Sequence, residues 1–534
     1  MSFYQKLLLI FIILLAATLR FYRISSNPPS LYWDEASLGY NAYSILKTAR
    51  DEHGKFMPIT NFAAFGDYKP PGYIYFTVPS IAIFGLNEFA IRFPSALFGT
   101  LTVLVTYFLA KKLFEKETLG LISSFFLAIS PWHINLSRAA FESNLALFFS
   151  VSAIYLFIKF AKDNKYFIFA SALFFLLAMY TFTGQRLFVP FILLILSIQF
   201  RKEIFANLKL VFITSLISLF FFWPLFRFAT GTIEGRLRFD EVSIFKDLGP
   251  INQSIEYRQR ENFSFMSNIF YNRRFFYLHK YLKNYFDFFS PVFLFTKGDI
   301  NPRFSTQLVG QLYIFDLILI PLGIYLLFKK RHRYTFLILG WLLVSPLGPA
   351  AAKETPHALR VLHILPTFQL LSALGLYELL KNIKWNKLFV SIIGLFVAFN
   401  IFYYLHSYYV HWPRTYSGEW QYGYKEAVNI AKDKYNEFDN IIVTSSLGRP
   451  YIYFLLYMKY PPKQFQQNAD VKKDKFFFID VYGFDKFKFV NTDEIKPSGR
   501  NLYMTGYLPQ GVSYISKISD LSGKNVFFIG SKND

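Results

Sequence analysis

The chain has 534 residues, 53% of them hydrophobic and 21% aromatic, with a formal net charge of +22 and no cysteine. So apolar a composition excludes an ordinary soluble globular protein, and the lack of thiols excludes disulfides and thiolate metal sites. Much of the positive charge sits in short loops between hydrophobic runs, which is a membrane-topology pattern and not a nucleic-acid footprint.

A spanning helix needs about 20 apolar residues. On that measure eleven spans are predicted, at about 5–22, 92–112, 118–132, 143–160, 166–183, 187–200, 208–227, 308–328, 334–350, 358–380 and 387–407. The first, QKLLLIFIILLAATLRFY, has no small-residue cleavage site after it and reads as a retained helix. The basic loops KKLFEKE (111–117), KFAKDNK (159–165), RKE (201–203), KKRHR (329–333) and KNIKWNK (381–387) share one side, which the positive-inside rule makes cytoplasmic. The N-terminus is then inside and the C-terminus outside. The expected fold class is a polytopic α-helical protein of the plasma membrane. Its transmembrane domain covers 1–407, and a small soluble extracytoplasmic α/β domain covers 408–534. In that tail EAVNIAKDKYNEF (426–438) reads as an amphipathic helix. NIIVTSS (440–446), KFFFIDVYG (475–483) and NVFFIG (525–530) read as strands.

The outward segments carry the candidate chemistry. In the first loop, 23–91, DEASLGYNAYSILKTA (34–49) has Leu38, Ala42, Ile45, Leu46 and Ala49 at helical spacing. It is too polar and too short to span, so an interfacial helix is predicted. Asp34 stands at its N-terminus, where a carboxylate also serves as a cap. Two carboxylates beside hydrocarbon are costly, however, and such residues are functional candidates. Glu35 points about 100° away from Asp34 around a helix, so the two are expected to do different jobs. Lys69 precedes Pro70 and Pro71, whose extended backbone would aim the ammonium; the plainer alternative is a snorkelling lysine.

Further outward groups follow. Arg138 and Glu142 are four apart in SRAAFESNLALFF (137–149), a spacing that predicts one helix face. His357 and Arg360, in KETPHALRVLHILP (353–366), would complete a cationic patch with Lys69, unless they only anchor the interface. FYLHKYLKNYFDFF (276–289) is predicted as a second interfacial helix that roofs a donor groove, and Asp299 with Arg303 as a loop salt bridge. The aromatics of HWPRTYSGEWQYGY (411–424) read as a membrane belt. Carboxylates that take a proton and cations that hold an anion, all on one side, suit attack of a hydroxyl on a sugar carbon with a lipid phosphate leaving. A transporter or lipid-linked sugar flippase is the alternative. It would place ionisable groups near mid-membrane and often show repeats.

WDEASLGYNAYSILKTARDEHG, DYKPPGYIYF, FGLNEFAIRFPSALFG and SPWHINLSRAAFE together resemble glycosyltransferase family 39. That family includes the protein O-mannosyltransferases and the lipid A aminoarabinose transferases, and has the membrane-embedded GT-C architecture. The resemblance is best over 20–160 and returns at TPHALRVLHILP. It implies inverting, single-displacement transfer from a polyprenyl-phosphate sugar to an extracytoplasmic glycan, glycolipid or protein. By resemblance Asp34 is the base, Glu142 the later acidic residue, and Lys69 and Arg360 phosphate contacts. The full candidate set is Asp34, Glu35 and Glu142 as catalytic residues, with Lys69, Arg138, His357 and Arg360 binding donor phosphate. The aminoarabinose branch has an acidic residue directly before the KPP lysine; this chain has Tyr68 there and Asp67 one earlier. It also has an arginine after the DE pair, where this chain has Ser37 and Leu38. No metal or other cofactor is therefore assigned. The expected partners are the lipid-linked donor, the acceptor and the bilayer, with no nucleic acid.

Overall fold

A computed structural model of the protein describes residues 1–382, 387–473, 479–490 and 498–533. Residues 383–386 of the last basic loop and 475–478 of the second predicted tail strand lie outside the described residues. Most of the chain is helical. Five described helices are long and apolar enough to cross a membrane: Phe3–Phe21, Glu88–Phe114, Glu142–Lys162, Leu208–Gly231 and Ser391–Thr415. Glu117–Ile129 and Pro131–Ser137, bent by 58°, make a sixth when joined. At the other predicted spans the helices are shorter, 10 to 16 residues in Phe167–Thr181, Gln185–Gln199, Asp316–Lys329, Thr335–Val344 and Thr367–Asn382. At ~1.5 Å rise per residue, a 15-residue helix is ~22 Å long, less than the ~30 Å of hydrocarbon. Eleven spans are predicted, and five of the described helices, or six with the bent pair joined, are long and apolar enough to cross.

The chain forms two compact units. A helical unit holds residues 1–20, 98–137 and 142–404; a sheet-bearing unit holds 21–97, 138–141 and 405–534. This division departs from the expected boundary at 407, because the first loop folds with the tail. The helix Trp33–Thr48 buries Glu35 through Ala42 as well as Ser44 and Ile45. The tail helices Pro450–Tyr457 and Pro462–Asn468 pack on it. Tyr453 Oη donates to the Leu31 carbonyl at 3.1 Å, Tyr40 Oη to the Tyr460 carbonyl at 2.9 Å, and Gln466 Nε2 to the Asp51 carbonyl at 2.9 Å. Gly39 permits the closest approach, since a Cβ there would sit 2.4 Å from Ile91 Cδ1. The predicted interfacial helix is therefore largely covered by protein, with Leu38, Ala42 and Ile45 buried and Leu46 left exposed.

The strands of the described residues are β1 (Phe62–Ala64), β2 (Asp67–Lys69), β3 (Asn440–Thr444), β4 (Asp470–Lys473), β5 (Ile479–Phe484), β6 (Phe487–Val490), β7 (Arg500–Thr505), β8 (Ser513–Ser519) and β9 (Asn525–Asn533). β1 and β2 form a hairpin, and the others form one sheet in the order β4-β5-β6-β3-β7-β9-β8. β3 pairs in parallel with both β6 and β7, and Ile441, Ile442 and Val443 are fully buried, as a strand covered on both faces should be. The predicted helix at 426–438 appears as Tyr424–Asp433. The aromatic run 411–424 does not form a belt. Trp412, Trp420 and Tyr424 are buried inside the sheet-bearing unit, with Trp420 edge-on to Tyr32 at 5.9 Å.

Candidate functional site

The first-loop hairpin fixes Lys69. β1 and β2 pair Phe62 with Lys69 and Ala64 with Asp67 across a two-residue turn, Phe65-Gly66. Both turn residues have positive φ, 57° and 84°, as the tightest hairpin turns require. A left-handed non-glycine residue costs about 1–2 kcal/mol. Here the Phe65 ring is held against Tyr451 at 5.7 Å and under the Arg449 guanidinium at 5.6 Å. Alternation along β2 puts Asp67 and Lys69 on one face. Lys69 Nζ lies 2.6 Å from Asp34 Oδ1 and 3.6 Å from Asp67 Oδ2. The lysine side chain is 8% exposed, while the two carboxylates are 24% and 27% exposed. The two carboxylates are thus more accessible to solvent than the ammonium they hold.

Glu35, one residue on, sits in different surroundings. Its Oε1 accepts from Arg92 Nε at 2.9 Å and from the Ala140 amide at 2.8 Å. Its Oε2 accepts from Arg92 Nη2 at 2.9 Å and from the Tyr32 amide at 3.3 Å. A carboxylate has about four acceptor positions, and all of these are used. Arg92 is equally committed: it also donates to the carbonyls of Ile24, Pro28 and Ser30, and Trp420 lies 5.8 Å from it. Both side chains are fully buried. Glu35, not Asp34, reaches back to the first turn of the helix. Of the carboxylates expected to react, Glu35 is thus the one whose acceptor positions are all taken by protein groups.

Arg138, expected to bind donor phosphate, is also enclosed by protein. It is fully buried and donates to the Tyr22 and Asn27 carbonyls at 2.7 and 2.8 Å and to Tyr408 Oη at 3.2 Å. A donor phosphate cannot reach it without unpacking these segments. Nor does it share a helix with Glu142: one helix ends at Ser137, and Glu142 begins the next.

In the helical unit the loop 353–360 is fastened at several points. Asn284 Nδ2 donates to the Ala352 carbonyl at 2.8 Å, Thr355 Oγ1 to Asp287 at 3.1 Å, and Trp132 Nε1 to the Ala358 carbonyl at 3.1 Å. Asp299 Oδ2 accepts the Ala358 amide at 2.5 Å, lies 3.9 Å from His357 Nδ1, and so braces the segment bearing His357 and Arg360. Asp299 therefore does more than close its own loop. Burial pushes its carboxyl up to about 6. The amphipathic helix expected near 276–289 appears as Arg273–Asp287, with Phe275, Leu278, Leu282 and Phe286 exposed.

Sequence reasoning quoted but gave no role to ARDEHG. The Glu52 side chain is fully buried, and neither carboxyl oxygen has a hydrogen-bond partner among the described residues. His53 Nε2 stands 3.5 Å from Oε1. Burial pushes Glu52 up to about 8 and His53 down to about 4. For Glu52 the folded value lies above the ordinary 4.5, so the folded state holds this proton more tightly. Its contribution to stability is complete below the ordinary value and is lost as pH rises through about 8. Glu52→Gln should therefore unfold at a higher temperature than the parent at about pH 9, by on the order of a few kcal/mol, and the gap should close near pH 5. Thermal unfolding in detergent at the two pH values checks this. Among the described residues no three His, Asp or Glu side chains converge to hold a metal.

Residues 68–227 match a family model described as dolichyl-phosphate-mannose-protein mannosyltransferase. Across nearly the whole chain the fold matches ArnT from Cupriavidus metallidurans, a protein solved in the apo state and bound to undecaprenyl phosphate. Its TM-score is 0.58 at 10% identity, over 98% of this chain and 97% of that one. The archaeal oligosaccharyltransferase AglB from Archaeoglobus fulgidus, solved with an inhibitory peptide and a dolichol-phosphate, matches at TM-score 0.51 and 13% identity, over 85% of this chain and 63% of that one. YkcB of Bacillus subtilis (strain 168), described as a candidate mannosyltransferase, is 27% identical over 228 residues, 41% of this chain and 30% of that protein. An uncharacterized Aquifex aeolicus (strain VF5) protein is 29% identical over 171 residues, 32% of each. The chain thus spans about a third of the length of these two relatives. The fold is thus similar to those of ArnT and AglB. The segment carrying Lys69, Arg92, Arg138 and Glu142 lies within the match to the protein mannosyltransferase family model, in agreement with the resemblance read from the sequence.

Proposed function

We propose that the chain transfers a sugar from a polyprenyl-phosphate donor to a hydroxyl of an extracytoplasmic acceptor, with inversion. The observation that carries this reading is the Asp34–Lys69 pair: a partly exposed carboxylate and a covered ammonium 2.6 Å apart, beside the segment that matches the mannosyltransferase model. Asp34 takes the acceptor hydroxyl proton as the oxygen attacks the anomeric carbon. The bond from that carbon to the phosphate oxygen breaks, and its electron pair leaves on the phosphate. Lys69 meets that charge, as fixed cations do for leaving phosphates. The ArnT relative bound to undecaprenyl phosphate supports a donor of this chemical class. Roles for His357 and Arg360 as phosphate contacts, and for Glu142 as a second acid, rest on the sequence resemblance. Glu35 and Arg138 act through the backbone they hold. The reaction is assigned to the outer face on the charge pattern of the loops, with the N-terminus inside.

The test uses the whole chain in lipid nanodiscs with a panel of polyprenyl-phosphate sugars and membrane-derived acceptors. Polyprenyl phosphate should be released together with a labelled acceptor. Lys69→Gln should raise donor KM by about ten-fold or more, the worth of a charged hydrogen bond. Vesicle uptake of a lipid-linked sugar with no bond cleaved would sink the proposal in favour of a flippase.

A further inference from the structure

Lys69 serves two kinds of anion in the reading above, on which this inference rests. It already holds Asp34 at 2.6 Å and Asp67 at 3.6 Å, and the proposed donor brings a third negative group. A lysine ammonium is a compact charge with three rotatable donors, so it can change partners without backbone movement. The carboxylates are about three times as exposed as the lysine, so a phosphate that binds Nζ meets an ammonium already covered and paired. We propose that donor phosphate competes with Asp34 and Asp67 for Lys69, and that this exchange releases Asp34 to act as base only when the donor is in place.

The exchange has a thermodynamic consequence. If phosphate on Lys69 makes Asp34 a better proton acceptor, then ionised Asp34 must weaken phosphate binding by the same factor, because coupling between sites is reciprocal. The base therefore holds donor affinity down. Asp67 is the second brake. Strand alternation keeps it beside Lys69, its Oδ1 accepts the Tyr68 amide at 2.9 Å, and its Oδ2 faces the ammonium. Asn at this position keeps the first contact and removes the charge that competes. Asp67 is thus a positioning residue, acting through Lys69. A carboxylate that instead bound donor or acceptor directly would give the opposite sign on removal.

The experiment measures binding of undecaprenyl phosphate and donor KM for the full chain in nanodiscs, comparing the parent with Asp34→Asn, Asp67→Asn and Asp67→Ser. Asp34→Asn should bind the lipid phosphate about five-fold or more tightly, although transfer is lost. Both Asp67 variants should bind it roughly two- to five-fold more tightly, with a matching fall in KM. Weaker or unchanged binding in the folded variants, checked by thermal unfolding, overturns the competition. Failure of the base assignment looks different: Asp34→Asn would then transfer sugar at the parent's rate whatever its affinity.

Discussion

Asp34→Asn is expected to lose sugar transfer by roughly 100- to 10,000-fold, the range for a missing general base, while the protein folds and inserts as before. Asn has the shape of Asp and cannot accept the proton. Asp34 is 24% exposed although its lysine is covered at 8%, and Asp67 at 3.6 Å remains as a counter-ion for that lysine, which limits the loss of stability. The effect should therefore appear in turnover and not in the unfolding temperature. Product formation and thermal unfolding on the same preparation separate the two. Transfer at the parent's rate would return Asp34 to the role of a surface ion-pair partner and leave the proposed chemistry without its base.

The neighbouring carboxylate should behave in the opposite way. Arg92→Lys removes the fork that meets Glu35 at both oxygens, 2.9 Å each, and leaves three backbone carbonyls short of a donor. Breaking one side of a buried ion pair costs about 3–5 kcal/mol, against a total stability of roughly 5–15 kcal/mol for a folded domain. The variant should accumulate poorly and unfold well below the parent. Glu35→Gln, which leaves the guanidinium charge uncompensated, should follow the same course. Near-parental unfolding of Arg92→Lys in detergent would mean that the cluster is less committed than its hydrogen bonds indicate.

The two effects divide adjacent residues, and the sequence foreshadowed this only in part. Successive helical positions diverge by about 100°, so Asp34 and Glu35 could be assigned different surroundings, but not which of them faced the arginine. Arg92 gave a usable signal that went unread. A guanidinium in an otherwise apolar helix needs a partner, and a first-loop carboxylate such as Glu35 can supply it. Arg138 misled because its four-residue spacing to Glu142 fits a helix, yet the helix stops between them. Lys69 was legible as a motif. Its hairpin was not, because a turn with Phe65 at positive φ has no local preference to announce it. Gly66 alone hinted at the turn. The tail strand 440–446 was readable from its unbroken apolar run, while the helical spacing at 34–49 marked an apolar face without saying whether membrane or tail would cover it.

That cover sets the timing of assembly. Tyr453 reaches a carbonyl 422 residues earlier in the chain, at Leu31, and Tyr451 holds the turn behind Lys69. A ribosome adding ~5–20 residues per second needs about 20–80 s to make the intervening chain. During synthesis the Asp34 helix and the Lys69 hairpin must wait beside the membrane with their apolar faces unpacked. The tail contacts that hold the Asp34 helix and the turn behind Lys69 can form only after residues 451–453 have been made.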